Sequence, residues 1–217
     1  MDNRTSIESL ITDLYHSDDS VKQQAAEKLI EIGESIIPYL LPELGKKDRN
    51  ESMSMWEDRT VQRILIRLGD PALKILSDAL NSNSQNNHMG RAAVKALVGF
   101  SKDERIIEPL LNCMSDKNSR GRLYAIDALG FLKNERSFQP LLSLLQDDDI
   151  LVVAHAARAL GEFRDQKAIA PLQETLNRTD TTPWMDWRQT VTEAIKSISD
   201  PSFTPLDRGF FINERYY

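Results

Sequence analysis

The sequence predicts an all-α fold, a right-handed superhelix (α-solenoid) of about five two-helix repeats with a capping helix at each end. The prolines Pro109, Pro140 and Pro171 recur with a constant interval of 31 residues (140 − 109 and 171 − 140), and a glycine precedes each by ten residues. Between them, Ala and Leu recur at helical spacing, where positions i, i+3 and i+4 share a face. A constant period of this size indicates a repeat array.

Each repeat is expected to contain two helices joined by a charged link. The first helix carries small residues and leucine, as at Ala125, Ala128 and Leu129, which favour helix and let neighbouring helices approach closely. A link such as residues 133–136 follows, and the second helix begins near the proline, which a first helical turn tolerates. The acidic run 147–149 then suits a loop that caps the next helix.

The earlier repeats are related but diverged. Their links are shorter, and Gly33 and Gly69 suit helix C-termini. Residues 45–56 and 178–187 lengthen two of the connections and interrupt the period.

We expect the array to span residues 1–200, with an N-terminal capping helix at about 5–16, repeats at about 18–178 and a final helix at about 187–199. Residues 201–217 form a tail that is rich in aromatic side chains, and disordered tails are poor in them, so the tail is expected to dock. It covers the last groove of its own array, which is the favoured interpretation, or it inserts into a partner. The tail-contact candidates are Phe210, Phe211, Tyr216 and Tyr217.

Composition restricts the function. The net charge of −6 disfavours nucleic acid as the main partner, because nucleic-acid binders usually carry clustered Lys and Arg. No apolar run is long enough to cross a bilayer, and the N-terminus lacks a signal-peptide pattern, so a cytoplasmic protein without membrane insertion is expected. The single cysteine, Cys113, cannot form an intramolecular disulfide and is expected to be a small buried side chain.

The motif Ala-Ile-Asp-Ala-Leu-Gly at 125–130, followed by a charged link and a hydrophobic-x-Pro-Leu-x-x-Leu-Leu run, resembles HEAT-like repeats. The subtype it resembles is the short repeat named after phycobilisome lyases. The resemblance covers residues 18–199 and is strongest over 91–176. It implies the fold, and it is shared by bilin lyases, bilin-detaching factors, chaperone-like proteins and bacterial scaffolds, so its implication for function is broad.

The two long connections share a composition that makes them candidate sites. All three tryptophans of the chain lie there, each near a carboxylate and a guanidinium at a predicted helix start. Trp and Arg are common interface anchors, which favours a protein-binding patch. An open-chain tetrapyrrole also suits these groups, since Asp accepts from pyrrole N–H and Arg pairs with a propionate. The structural alternative is helix capping by Asp with Trp covering a joint. The candidates are Trp56, Asp58, Arg59, Trp184, Asp186, Trp187 and Arg188.

A second polar set lies near the first helices of repeats four and five. Either it forms a ladder along one edge, or it pairs with nearby carboxylates of the array, and the second interpretation is favoured. No catalytic role is expected for His155. The set consists of Arg120, Arg122, His155 and Arg158, with Asp116, Asp127 and residues 147–149 as the pairing carboxylates.

The function that the sequence favours is a non-catalytic protein-binding scaffold or chaperone-like adaptor. The alternative is a phycobilin lyase or bilin-detaching factor, with phycobilin as the only cofactor implied and a phycobiliprotein or a second HEAT-like subunit as partner. HEAT-like deoxyhypusine hydroxylases bind iron through His-Glu pairs, but His16, His88 and His155 precede Ser, Met and Ala, which excludes that activity and leaves no metal site. A HEAT-like DNA glycosylase is a third interpretation, disfavoured by the acidic balance.

Overall fold

The computed structural model describes residues 3–45, 60–81, 93–94, 96–117, 121–179 and 186–203. Every regular element in these ranges is an α-helix or a short 3-10 helix. The predicted all-α fold is therefore confirmed. The chain forms two compact units, Met1–Ile106 and Ile107–Tyr217, whose boundary falls between the two predicted helices of the third repeat.

The first unit begins with the N-terminal helix and continues with helix pairs. Its helices are α1 Asn3–Asp13, α2 Asp19–Ile32, α3 Ile37–Leu40, α4 Thr60–Leu68 and α5 Asp70–Asn81. Residues 93–94 and 96–98 are also helical. α1 packs against α2 and α3, and α2 packs against α4. The apolar face of α1 supplies Ile7 and Ile11 to this core, and Leu14 follows directly after the helix; each is at most 9% exposed.

The second unit contains two layers of helices. Its helices are α6 Ile107–Ser115, α7 Arg122–Leu132, α8 Glu135–Ser143, α9 Ile150–Phe163, α10 Ile169–Thr175 and α11 Trp187–Ser199. The first helices stack directly, with α9 packed against both α7 and α11. The second helices form the other layer, where α6 contacts α8 and α10 contacts the 3-10 turn Leu144–Gln146 that follows α8.

The repeated prolines do not all occupy the same helical position. Pro109 and Pro171 are the third residues of α6 and α10, within the first turn as expected. The expectation is wrong for Pro140, which is the sixth residue of α8. The reason is local: before α10 the chain passes through a 3-10 turn, Gln166–Ala168, whereas α8 begins at Glu135 without one.

Two kinds of residue end the first helices. Gly33 and Gly69 have positive φ angles of 85° and 68°, which confirms the predicted helix ends, because glycine adopts this backbone region without steric cost. In repeats four and five the equivalent positions are Lys133 and Arg164, with φ of 50° and 55°. Their long side chains bind beyond their own repeat, since Lys133 reaches Glu162 at 3.8 Å.

The periodic glycines set the distance between first helices. A Cβ atom at Gly130 would lie 2.6 Å from Cβ and 2.7 Å from Cα of Ala159 on the next first helix. A Cβ at Gly161 would lie 3.0 Å from Cα of Ala194. Real Cβ contacts are longer than these distances, so glycine at these positions lets α7, α9 and α11 approach at backbone distance.

The links of the second unit begin with a side-chain cap. Asn134 Oδ1 accepts a hydrogen bond from the Arg136 N–H at 3.0 Å, and Asp165 Oδ1 accepts one from the Lys167 N–H at 2.9 Å. Each cap satisfies a donor that the start of the following helix would otherwise leave unpaired. Beyond the caps, the second helices place equivalent leucines in the core, with Leu110, Leu141 and Leu172 all 0% exposed.

Candidate functional site

Part of the predicted Trp-containing site lies within the described residues. Asp186, Trp187 and Arg188 are described at the start of α11, and Trp56, Asp58, Arg59 and Trp184 lie outside the described residues. The described part can therefore be assessed by its contacts, and the rest of the predicted site stays a prediction.

The contacts at the start of α11 are those of a helix joint. Asp186 Oδ1 caps the helix by accepting from the Gln189 N–H at 3.1 Å. The Trp187 ring is 2% exposed, and the guanidinium carbon of Arg188 lies 4.3 Å from its centroid. Arg188 also donates to the carbonyl of Arg178, the first residue of the long connection. These contacts match the structural alternative for this segment, in which Asp186 caps the helix and tryptophan covers a joint between helices.

A buried ionic cluster joins the first helices of repeats four and five. Asp127 Oδ1 on α7 lies 2.8 Å from His155 Nδ1 and 2.5 Å from Arg158 Nη2, both on α9. The Asp127 side chain is 2% exposed, and its Oδ2 atom has no hydrogen-bond partner within the described part of the chain. Burial alone would raise the pKa of Asp127, but the charges of His155 and Arg158 outweigh burial and hold that pKa below its usual value.

A second buried pair ties α7 to the loop before α9. Arg122 Nη2 lies 2.6 Å from Asp147 Oδ2, and the two side chains are 10% and 7% exposed. Arg122 Nε also donates to the Met114 carbonyl at 2.8 Å. Burial alone would raise the pKa of Asp147, and the hydrogen bonds from Arg122 and from the Asp149 N–H reverse the shift, so the pKa is lowered.

The polar set near these helices therefore makes charge pairs between repeats. Arg122, Asp127, Asp147, His155 and Arg158 all have partners within the array. In the acidic run, Asp149 caps α9 through the Leu151 N–H at 2.9 Å. Arg120 lies outside the described residues. Cys113 is 1% exposed, as predicted for a small buried side chain.

The start of the C-terminal tail binds to the link of repeat five. Arg164 donates to the carbonyls of Pro201 and Phe203 at 3.0 and 3.1 Å. The predicted tail-contact residues lie outside the described residues. They are Phe210, Phe211, Tyr216 and Tyr217.

A surface that the sequence reasoning missed lies on the second helices of the second unit. Each of the three second helices has two exposed positions that are equivalent from repeat to repeat. Equivalent positions of successive helices are 31 residues apart along the chain. The signal was present in the period, because 108, 139 and 170 are equivalent, as are 112, 143 and 174. We call these residues the second-helix face: Glu108, Asn112, Gln139, Ser143, Ala170 and Glu174.

The side chains around the second-helix face hold neighbouring repeats together. Arg136, on α8, forms an ion pair with Glu108 on α6. Arg178, which follows α10, donates to the carbonyl of Leu145 after α8 at 3.2 Å. Within the described ranges, no three His, Cys, Asp or Glu side chains gather as a metal site requires. Nor does any described helix combine the length and apolar content that crossing a membrane requires.

Residues 107–196 match HEAT repeats. No curated protein matches the chain. The chain is also similar to the crystal structure of an engineered protein from the Northeast Structural Genomics Consortium, at 20% sequence identity. That similarity covers 92% of this chain and 97% of the engineered one, with a TM-score of 0.41.

The stacked helix pairs of the second unit define a helical repeat protein. The match to HEAT repeats falls on the same residues, from α6 to within α11, so this part of the chain is similar to HEAT repeats.

Proposed function

We propose that the chain is a non-catalytic protein-binding scaffold or chaperone-like adaptor, and that the second-helix face is its binding surface. The proposal rests on a comparison of equivalent positions in the three repeats, because the buried positions keep the same residue and the exposed positions do not. Leu110, Leu141 and Leu172 are identical and fully buried. The exposed positions of the second-helix face differ from repeat to repeat.

This contrast separates the positions at which core packing dictates the residue type from those at which the residue type can vary. At 108, 139 and 170 the chain has Glu, Gln and Ala, and at 112, 143 and 174 it has Asn, Ser and Glu. Because all six positions are exposed, packing does not dictate their side chains. A set of side chains that varies on a fixed helical frame is what a specific binding surface of a repeat protein needs.

The frame beneath the face is held in place before a partner arrives. Buried ion pairs join repeats four and five, and Gly130 brings their first helices to backbone distance. Adjacent packed helices lie about 8–10 Å apart, so the three second helices present a surface rather than a pocket. A preorganised surface loses less conformational entropy on binding, which favours affinity.

The chemistry of the face favours a polar partner. Two of its six residues, Glu108 and Glu174, are acidic and none is Lys or Arg, and Glu108 is ion-paired with Arg136 of α8. Acidic and amide side chains accept hydrogen bonds from Lys, Arg and amide donors of a partner. A protein surface that offers such donors fits this face, and complementary charge also raises the rate of association.

The test uses a variant of the face with three substitutions, Gln139→Arg, Ser143→Arg and Glu174→Lys. All three positions are exposed, so the variant is expected to fold with an unchanged thermal midpoint. Proteins retained from the native extract by the immobilised wild-type chain are quantified by mass spectrometry. The variant is expected to retain the specific partner at least about tenfold less, because three new cations oppose basic donors.

A matched control changes charge by the same amount on the first unit, where Gln23→Arg, Gln24→Arg and Glu31→Lys alter exposed positions of α2. The control variant is expected to retain the partner like the wild type. Equal retention by the face variant and the wild type would contradict the proposal that the second-helix face binds the partner. Equal loss of retention in the face variant and the control variant would contradict it as well.

The alternative function, a phycobilin lyase or bilin-detaching factor of the phycobilisome lyase type, rests on the resemblance of the repeats. Of its predicted contacts, Asp186 and Arg188 have exposed or half-exposed side chains, and Trp187 is buried. Titrating the protein with phycocyanobilin and recording the visible absorbance tests it. A red shift that Arg188→Ala abolishes would support the alternative, and an unchanged pigment spectrum at micromolar protein would oppose it.

A further inference from the structure

One of the two carboxylates of the second-helix face is paired with a cation of the chain itself. Glu108 on α6 forms an ion pair with Arg136 on α8, and their side chains are 60% and 55% exposed. The pair therefore joins two neighbouring second helices at their exposed surface. Among the ion pairs of the described residues, it is the one that includes a residue of the second-helix face.

The exposure of this pair distinguishes it from the buried pair of the same repeats. Arg122 and Asp147 are 10% and 7% exposed, and Arg122 also donates to the Met114 carbonyl. Breaking a buried pair leaves a charge without a partner and destabilises the fold. An exposed pair contributes little to stability, because water solvates both groups when they separate. The contact between Arg136 and Glu108 is therefore free to open without loss of the fold.

The position of Arg136 in α8 does not favour a cation. Arg136 is the second residue of the helix, and its N–H donates to Asn134 Oδ1 at 3.0 Å. The N-terminus of a helix carries partial positive charge, which favours acidic side chains in the first turn. The helix itself thus gives no reason for a guanidinium here, and the ion pair that this guanidinium makes is the one with Glu108.

Repeat five keeps the cation and lacks the carboxylate. Lys167 stands 31 residues after Arg136, and its N–H donates to Asp165 Oδ1 at 2.9 Å, as the Arg136 N–H does to its own cap. Lys167 is also exposed. The position equivalent to Glu108 is Gln139, which carries no charge. The two repeats therefore differ in whether a carboxylate faces the cation, and the chain contains its own control.

We propose that Arg136 holds, in the free protein, the place of an arginine of the partner, and that binding exchanges the Arg136 guanidinium on Glu108 for a guanidinium of the partner. This inference rests on the proposed function of the second-helix face and names the group that the face recognises at Glu108. One ion pair opens and another forms, so the charge of Glu108 is compensated before and after binding.

The exchange makes Arg136 a residue that sets specificity. A basic group of a partner gains the contact with Glu108 only if it displaces the guanidinium already there. A guanidinium is planar and more weakly hydrated than an ammonium, so an arginine of the partner is suited to this displacement and a lysine is less so. Partners with a few scattered lysines therefore gain little from Glu108.

The test measures the affinity of a fluorescein-labelled hexa-arginine peptide by fluorescence anisotropy at physiological ionic strength. Arg136→Gln removes the competing guanidinium and is expected to strengthen binding about two- to fivefold, the range that an exposed ion pair contributes. The control Lys167→Gln removes the same charge without freeing a carboxylate, and it is expected to change binding by less than about 1.5-fold, because salt screens exposed charges. Both positions are exposed, so both variants are expected to keep the thermal midpoint of the wild type. Equal gains in the two variants, or no binding of the peptide to either, would overturn the exchange.

Glu108→Gln supplies the second arm of the test. Without the Glu108 carboxylate, Arg136 is an ordinary exposed cation, so the gain from Arg136→Gln is expected to fall to that of Lys167→Gln. A gain of unchanged size in this background would overturn the proposal. A hexa-lysine peptide of equal charge is expected to bind the wild type more weakly than hexa-arginine, and equal affinity would overturn the assignment of a guanidinium.

Failure of this inference can be told apart from failure of the proposed function. Capture of the native partner that the triple variant of the second-helix face loses, together with equal gains in Arg136→Gln and Lys167→Gln, would keep the face and remove the exchange at Glu108. Equal capture by the wild type and the triple variant would overturn both.

Discussion

Replacing Gly130 with alanine is expected to destabilise the protein, although the same change stabilises most helices. Alanine in place of glycine within a helix gains about 1 kcal/mol of helix propensity. At Gly130 the added Cβ would lie 2.7 Å from Ala159 Cα, far inside the separation of about 3.5–4.0 Å at which carbon atoms attract. Because the obstructing atom belongs to the backbone, no rotamer change relieves the clash, and α7 must move away from α9.

Overpacking of this kind costs about 1–3 kcal/mol, and a contact with backbone belongs at the upper end of that range. After subtracting the propensity gain, we expect Gly130→Ala to lower the free energy of unfolding by about 1–2 kcal/mol. Gly161→Ala is the graded comparison, because its Cβ would lie 3.0 Å from Ala194 Cα. The smaller overlap offsets the propensity gain, so its net effect is expected near zero.

The assay is urea denaturation followed by far-ultraviolet circular dichroism, on the wild type, both glycine variants and the Gly130→Ala/Ala159→Gly double variant. The double variant is expected to recover only part of the loss, because the Ala159 Cα atom remains. Stabilisation of about 1 kcal/mol by Gly130→Ala, as in an exposed helix, would refute the close approach of α7 and α9.

Substitutions at three further places test the interior of the second unit. Leu129→Ala removes a fully buried side chain and is expected to cost about 2–5 kcal/mol in the same denaturation assay, so a loss below about 1 kcal/mol would contradict its place in the core. Asp127 has a lowered pKa, so its stabilising contribution is complete above its unfolded pKa of about 3.9 and is lost as the pH falls through the lower folded value. In denaturation series from pH 6 to pH 2, the wild type is therefore expected to lose stability more steeply on the acid side than Asp127→Asn, and parallel profiles would contradict the pairing. Arg122→Met leaves the Asp147 carboxylate buried without its partner and is expected to lower the free energy of unfolding by about 3–5 kcal/mol. Adding Asp147→Leu is expected to recover much of that loss, and equal losses in the single and double variants would contradict the buried ion pair.

The period of the sequence predicts much of the fold because it reports packing that recurs. Residues such as Leu141 and Leu172 stand at the same place in each repeat, and the structure buries both. The position of Pro140 within α8 could not be predicted, because it depends on whether the chain makes a 3-10 turn before the helix. A difference of one turn type leaves the sequence pattern almost unchanged.

The candidate site was harder to predict than the fold. Composition cannot distinguish an interface tryptophan from a core one, and Trp187 proves to be buried beneath Arg188. The partners of Asp127 depend on how α7 and α9 rotate against each other, which a single helix pattern does not specify. The second-helix face was predictable in principle, since its positions follow the period, but choosing the exposed side requires knowing how the two layers stack.

The most direct test of the account is carboxyl footprinting of the wild-type chain with and without the captured partner, read by mass spectrometry. Glu108 and Glu174 report on the second-helix face, and the exposed Glu162, at the end of α9, serves as the internal reference. The account predicts that the partner lowers labelling of Glu108 and Glu174 severalfold and leaves Glu162 unchanged. Protection of Glu162 alone, with Glu108 and Glu174 labelled as in the free protein, would contradict it.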